Sequence, residues 1–244
     1  SVGASGGVVT GMLCDLLQRN EITGAVVLDA HPDAPWRPWP RVARTRDEII
    51  HAPQSKYCVT PTNVVLGQID GHETSRRTGF QPVPDGLESR PTPDAPSARL
   101  DRPERLAVVA LPCQIHALRT LQRHGYPPMK AVSLVIGLYC GNQLDFGATR
   151  SFLKRHGVRD LAEVAEVRYR DGAWPGNVRA ILRDGRCVAA PKFQFNHLIS
   201  SYVVPRCLLC ADLAAEGADV SVADAWDVPP ESEGGSSLVV SRTE

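Results

Sequence analysis

Leu106-Ala-Val-Val-Ala-Leu111-Pro-Cys113 is an unbroken apolar run closed by a proline turn. Gln114-Ile-His-Ala-Leu-Arg-Thr-Leu-Gln-Arg-His124 follows, with apolar residues at helical spacing and Gly125 to stop it. A second apolar run at 131–139 then ends on Cys140. Strand, helix and strand in that order make a βαβ unit, whose strands lie parallel in one sheet. Cys113 and Cys140 each follow a strand, so both thiols fall at the C-terminal edge of that sheet. Cys113 also stands just before the expected helix, where the dipole favours thiolate over thiol.

The rest of the chain grows around this unit. Upstream, Gly3-Ala-Ser-Gly-Gly7 is a glycine turn feeding a helix predicted over 8–17, and Gly24-Ala-Val-Val-Leu28 reads as a buried strand. A loop entering a helix offers free N–H groups and the positive end of the dipole, which suits a phosphate or pyrophosphate. The turn matches neither the Walker pattern nor the dinucleotide fingerprint, and glycines before a helix are more often a plain tight turn. Residues 31–40 interleave Pro32, Pro35, Pro38 and Pro40 with Trp36 and Trp39 and predict an extended loop, with a short strand at 41–44. Thr45 is placed to cap a helix at 46–51, with Glu48 completing a capping box. Ser55-Lys-Tyr-Cys-Val-Thr-Pro-Thr62 leads into a helix near 63–69. Its lysine, aromatic ring and hydroxyls fit either an anionic ring-bearing cofactor or a capped helix start.

Between 70 and 102 the composition shifts to Pro, Ser, Arg, Asp and Gly without apolar periodicity, so 71–98 reads as an inserted, disordered excursion. Downstream, a helix over 145–156 precedes antiparallel strands at 164–170, 178–182 and 187–189, with closing strands at 219–223 and 237–242. The fold class is α+β: a mixed sheet with a βαβ unit and flanking helices, plus antiparallel strands in the C-terminal half. The expected organisation is a single domain over 1–244, read as a fragment of a longer product because it begins at Ser1 inside a functional turn.

Bulk properties narrow the function. With 27 acidic and 27 basic residues, the chain gives no electrostatic support for nucleic acid or anionic membrane as a partner. No apolar run approaches the roughly 20 residues of a membrane helix. Seven scattered cysteines, an odd number, argue against a disulfide framework and for a reducing cytoplasm in which some thiols are ligands. Cys207-Leu-Leu-Cys210 supplies two thiols on one loop. With Cys113 and Cys140 they complete a four-thiolate set that suits zinc or a 4Fe-4S cluster. Two ligands delivered singly from sheet ends are easier to reconcile with a cluster at a sheet edge than with a zinc knuckle. Cys14 and Cys187 read as small packed residues and Cys58 as core. The histidines show no metal-binding spacing.

Six stretches together resemble one family: Ser5-Gly-Gly-Val-Val-Thr10, Ser55-Lys-Tyr57 with Pro61, Leu111-Pro-Cys-Gln114, Ile136-Gly-Leu-Tyr-Cys140, Cys207-Leu-Leu-Cys210 and Ala218-Asp-Val-Ser-Val-Ala-Asp-Ala-Trp226. In order and approximate spacing the chain is similar to the beta subunit of coenzyme F420-reducing hydrogenase and its relatives in F420-dependent formate dehydrogenase, sulfite reductase and chlorophyll-pathway reductases. The resemblance implies an oxidoreductase that binds FAD and one 4Fe-4S cluster. It carries the cluster ligands onto Cys113, Cys140, Cys207 and Cys210. It turns Ser5, Gly6, Gly7, Val8 and Thr10, then Ser55, Lys56 and Tyr57, and Gln114 toward FAD. The implied partners are a small-molecule hydride carrier, coenzyme F420 or similar, and another redox subunit or electron-carrier protein. No side chain is singled out as a general acid or base, because the cofactors carry the chemistry. The residues alone also admit a flavin-free iron-sulfur electron carrier and a structural zinc scaffold.

Overall fold

The structure, a computed structural model, describes residues 7–52, 55–69, 103–228 and 234–243. The excursion expected at 71–98 lies outside them. In chain order the elements are α1 (Val8–Gln18), β1 (Gly24–Ala30), β2 (Pro38–Ala43), α2 (Arg46–Ile50), β3 (Leu106–Ala110), α3 (Pro112–Arg123), β4 (Val132–Leu138), α4 (Phe146–Arg155), β5 (Val164–Asp171), β6 (Asn177–Leu182), β7 (Cys187–Pro191), α5 (Lys192–Asn196), α6 (Ile199–Tyr202), β8 (Val220–Asp224) and β9 (Ser237–Ser241). Short 3-10 turns join several of them, at Thr62–Gln68 and Pro205–Leu209 among others.

Among the described residues nine strands form two sheets, confirming the mixed α+β class. The larger runs β2-β1-β3-β4-β8-β9 and the smaller β5-β6-β7. β1, β3, β4 and β8 are mutually parallel, as the βαβ unit requires, whereas β2 and β9 close the two edges antiparallel. Side chains alternate across the sheet. Ala25, Val27, Ala107 and Ile136 pack with Leu13 of α1 and Ile49 of α2, while Val26, Val108 and Val135 pack with Ile115 and Leu118 of α3. Both faces are covered, which is why β1, β3 and β4 read as continuous apolar runs. The small sheet buries Val167, Tyr169, Val178 and Ala180 against Phe152 and Leu153 of α4 and Phe195 of α5.

The proline-rich segment departs from the loop expected over 31–40. β2 starts at Pro38 and pairs Pro40 with Leu28. It is an edge strand, where a missing N–H can face away from the ladder. The helix expected at 63–69 is a 3-10 turn. The capping box at Thr45 forms as the spacing predicts. Glu48 N–H donates to Thr45 Oγ1 at 3.2 Å, and Thr45 N–H donates to Glu48 Oε2 at 2.9 Å.

Gly137 holds β4 against the chain that leads into β8. A Cβ there would lie 2.4 Å from Cβ of Ala215 and 2.8 Å from Cβ of Ala218, both short side chains on backbone that cannot swing aside. Gly137→Ala is expected to cost about 1–3 kcal/mol, as overpacking of a filled core does, measured as a lowered denaturant midpoint. The same change at the open Gly141, where a Cβ meets nothing within 4 Å, serves as the control.

Candidate cofactor cleft and thiol cluster

The carboxyl ends of the parallel strands open into a cleft of about 610 Å³, within the range of about 300–1,000 Å³ usual for small-molecule and cofactor sites. Leu28 after the buried part of β1, Val109 to Leu111 at the end of β3, Leu138 to Cys140 at the end of β4 and Val222 to Asp224 in β8 form its floor. The C-terminal edge of a parallel sheet is where open α/β sheets receive ligands, since strands end there and helices begin.

Seven of the nine residues expected to face FAD line this cleft: Gly7, Val8, Thr10, Ser55, Lys56, Tyr57 and Gln114. Ser5 and Gly6 lie outside the described residues. Gly7 takes the left-handed conformation (φ 71°) and is the N-cap of α1, with no side chain capping the first turn and no acidic residue within it. A helix start left in that state keeps its N–H groups for a ligand. Gln114 is fixed from two sides. Its Nε2 donates to the Thr60 carbonyl at 2.6 Å, and its Oε1 accepts from Leu111 N–H at 2.9 Å. One side chain therefore ties the 55–62 loop to the turn between β3 and α3. Lys56 forms part of the wall between this cleft and a smaller cavity of about 300 Å³ lined by Trp36, Arg37 and Arg168. Burial lowers its pKa, with Asp29 and Glu166 acting in the opposite sense.

Sequence reasoning assigned no role to the opposite wall of the cleft. Arg170 of β5 crosses from the small sheet and meets Asp224 of β8 at 2.6 Å, its side chain only 3% exposed. Lys192 sets its ammonium 4.7 Å from the ring centre of Tyr57 and 5.8 Å from that of Trp226. Asp224 and Trp226 stand inside the last of the six matched stretches, and that was the available signal. Arg170 and Lys192 belong to a strand and a five-residue helix whose approach to the large sheet no local pattern announces.

The four thiols assemble at one end of the same edge. Cys113 occupies the first turn of α3, and Cys140 follows β4. The Cys207 to Cys210 loop reaches them through hydrogen bonds: Val204 N–H to the Gln143 carbonyl (3.0 Å), Gln143 N–H to Cys207 Sγ (3.4 Å) and Cys140 N–H to the Leu213 carbonyl (3.0 Å). Asp212 fastens the loop to α3. It pairs with His116 Nε2 at 2.9 Å and accepts the N–H of Ala214 at 3.1 Å and of Glu216 at 3.2 Å. These bonds hold the Asp212 carboxyl below the usual range against the opposing effect of burial.

Burial and neighbouring thiols bear on two of these cysteines. Burial pushes the Cys140 thiol up to about 12, with Cys113, Cys207 and Cys210 each adding to the shift. Cys113 is raised as well, by burial first and then by Cys207. The dipole at the start of α3, expected to favour thiolate there, is outweighed by these two effects. Among the described residues no three His, Cys, Asp or Glu are close enough to grip a single ion. Of the remaining cysteines, Cys58 is fully buried as expected, with Thr149 Oγ1 and Tyr169 Oη at 2.9 and 3.2 Å. Cys14 is half-buried in the α1 core. Cys187, expected to be packed, is exposed and accepts from Arg179 Nε at 2.8 Å. It sits on the outer strand of the small sheet.

A cleft at the carboxyl ends of parallel strands, beside a smaller antiparallel sheet, defines a two-sheet α+β protein. The chain belongs to the coenzyme F420 hydrogenase/dehydrogenase beta subunit family: the N-terminal family model matches residues 1–67 and the C-terminal model residues 103–244. It is 27% identical to the coenzyme F420-dependent sulfite reductase of Methanocaldococcus jannaschii over 99% of its own length and 33% of the relative's. It is 25% identical to the coenzyme F420 hydrogenase subunit beta of Methanosarcina barkeri, over 88% of this chain and 62% of that one. The corresponding subunit of Methanothermobacter thermautotrophicus is 26% identical, over 98% and 71%. The chain thus spans about a third and under two thirds of the first two relatives. A chain of the F420-reducing [NiFe] hydrogenase complex from Methanosarcina barkeri has the same fold, with a TM-score of 0.63 at 21% identity, covering 99% of this chain and 69% of that one. Among the described residues no helix is long and apolar enough to cross a membrane.

Proposed function

We propose that the chain is the flavin- and cluster-carrying unit of an F420-linked oxidoreductase, with FAD in the cleft and a 4Fe-4S cluster on Cys113, Cys140, Cys207 and Cys210. The observation that carries the reading is that Cys140 belongs to both features. It lines the cleft and stands among the four thiols. The relatives' links to F420 support the choice of hydride carrier, and the multi-subunit hydrogenase complex supports another redox subunit as electron partner.

When bound, the flavin supplies two-electron hydride exchange and the cluster one-electron transfer. The chain's own residues bind, orient and exclude water. The uncapped start of α1 offers N–H groups to a pyrophosphate. Lys56, with burial already disfavouring its charge, gains from an anionic neighbour. Val27, Leu28, Leu138 and Val222 give the cleft an apolar floor. Four thiolates complete the ligand set that a 4Fe-4S cluster takes.

Anaerobic purification with assay of iron, sulfide, zinc and acid-released flavin tests this. The expected product is brown, with about four irons and four sulfides per chain, an equivalent of FAD and the capacity to reduce or oxidise F420. A colourless protein with one zinc would mean a structural scaffold, and iron without flavin an electron carrier. Either result overturns the reading.

A further inference from the structure

We propose that Lys56 is the proton-transfer residue of the cleft: its ε-amine takes the proton left behind when a hydride held there is passed on as single electrons, and releases it into the smaller cavity on its other side. The inference rests on the flavin and cluster reading and adds to it the path of the proton.

A hydride carries two electrons and one proton. When the electrons leave singly for a protein partner, one proton per hydride stays in the cleft and has to reach solvent. In that transfer an N–H bond on the reduced ring breaks, an N–H bond forms on Nζ of Lys56, and the electron pair departs by way of the cluster. Reversed, the same route returns the proton. The floor of Val27, Leu28, Leu138 and Val222 offers no side-chain acceptor. Arg170 cannot give up its proton, and Asp224 is engaged by it at 2.6 Å. Lys192 lies over the rings of Tyr57 and Trp226 and lines the cleft alone. Among the described residues Lys56 is the one that lines both the cleft and the cavity of about 300 Å³.

The far side of Lys56 is equipped to carry a proton onward. Asp29 of β1, Arg37 ahead of β2, His51 after α2, and Glu166, Arg168 and Tyr169 of β5 line that cavity. The two carboxylates have other partners: Arg41 Nε lies 2.7 Å from Asp29 and Arg168 Nε lies 2.7 Å from Glu166. Their side chains are 30% and 43% exposed, so both pass protons to water readily. Neither pairs with Lys56, and an ion pair would lock the lysine in its charged form. His51 Nδ1 lies 2.7 Å from the Asp47 carbonyl, which leaves Nε2 as its exchanging nitrogen. Burial brings the Lys56 pKa down and Arg168 acts with it, while Asp29 and Glu166 act against it. A lysine drawn toward the working pH in this way exchanges its proton in both directions.

The test uses protein loaded with flavin and cluster, reduced with the hydride donor F420 in its reduced form and reoxidised by methyl viologen, a one-electron acceptor. Lys56→Arg keeps the positive charge but cannot deprotonate. It is expected to slow flavin reoxidation at least about a hundredfold, the low end of what a positioned base contributes, at unchanged flavin content. Methylamine should speed the reoxidation of Lys56→Ala, and more so as pH rises. At equilibrium, the flavin midpoint potential of the wild type plotted against pH should show a bend that Lys56→Arg lacks. The double variant Asp29→Asn with Glu166→Gln should slow reoxidation about tenfold or more with Lys56 in place. Reoxidation of Lys56→Arg at the wild-type rate would overturn the assignment, and so would loss of flavin from both Lys56 variants, which would make the residue part of the flavin grip. A wild-type rate in the double variant would overturn the route through the smaller cavity. These failures leave the flavin and cluster reading standing, whereas wild-type protein that takes up no flavin would sink that reading and this inference together.

Discussion

Replacing any one of Cys113, Cys140, Cys207 or Cys210 by serine is expected to abolish stable iron binding, while Cys14→Ser and Cys187→Ser leave the iron content unchanged. A hydroxyl at any of the four positions removes a thiolate from a set that has no spare member. Loss of an outer-sphere partner alone typically lowers metal affinity on the order of 10- to 100-fold, and loss of a ligand should exceed that. Cys14 packs in the α1 core and Cys187 lies on the outer strand of the small sheet, so neither reaches the quartet. Iron and sulfide assay after anaerobic reconstitution decides the matter. Equal loss from all six variants would mean that the thiols act through folding. Full retention in any of the four would remove that cysteine from the ligand set.

The second large effect concerns the bond that joins the two sheets. Arg170→Ala removes a guanidinium that is 3% exposed and leaves Asp224, 19% exposed, without its 2.6 Å partner. Breaking one side of a buried pair costs about 3–5 kcal/mol, because a desolvated charge loses its ion-pair partner. For a chain of this size that corresponds to a fall in Tm of roughly 6–20 °C. Arg170 Nε also donates to the Pro175 carbonyl at 3.0 Å, so the turn after β5 loosens with it. The double change Arg170→Met with Asp224→Leu should recover a large part of the loss, since an apolar pair of similar volume needs no compensation. Thermal unfolding of the three proteins would expose an error. If the double variant is as unstable as the single one, packing rather than charge accounts for the effect.

Local signals in the sequence carried the centre of the fold. Apolar runs of strand length separated by one helix period placed β3, α3 and β4, and the spacing of Thr45 and Glu48 placed a capping box, because both depend on neighbours a few residues apart. The family motifs carried the cleft as far as Gly7, Lys56, Tyr57 and Gln114. Pro38 and Pro40 were misread because proline reports only the missing N–H. Whether that matters depends on β2 being an edge, a property of the whole sheet. At Cys113 the helix start is local, whereas its burial and the two thiols that raise its pKa, Cys207 and Cys210, are contributed by segments up to a hundred residues away. Lys192 and Arg170 were invisible because the small sheet's position over the cleft is a tertiary fact.

The thiol quartet lies on the rim of the molecule, with Cys113 and Cys210 exposed and Leu208 and Leu209 standing in solvent at 73% and 87%. The cluster proposed there would have a short tunnelling path to whatever docks, and an equally short diffusion path for dioxygen. The openness that makes such a centre quick to discharge also makes it perishable in air. Occupied by a docked subunit, the rim would be shielded, so assembly and protection from oxidation would arrive in the same event.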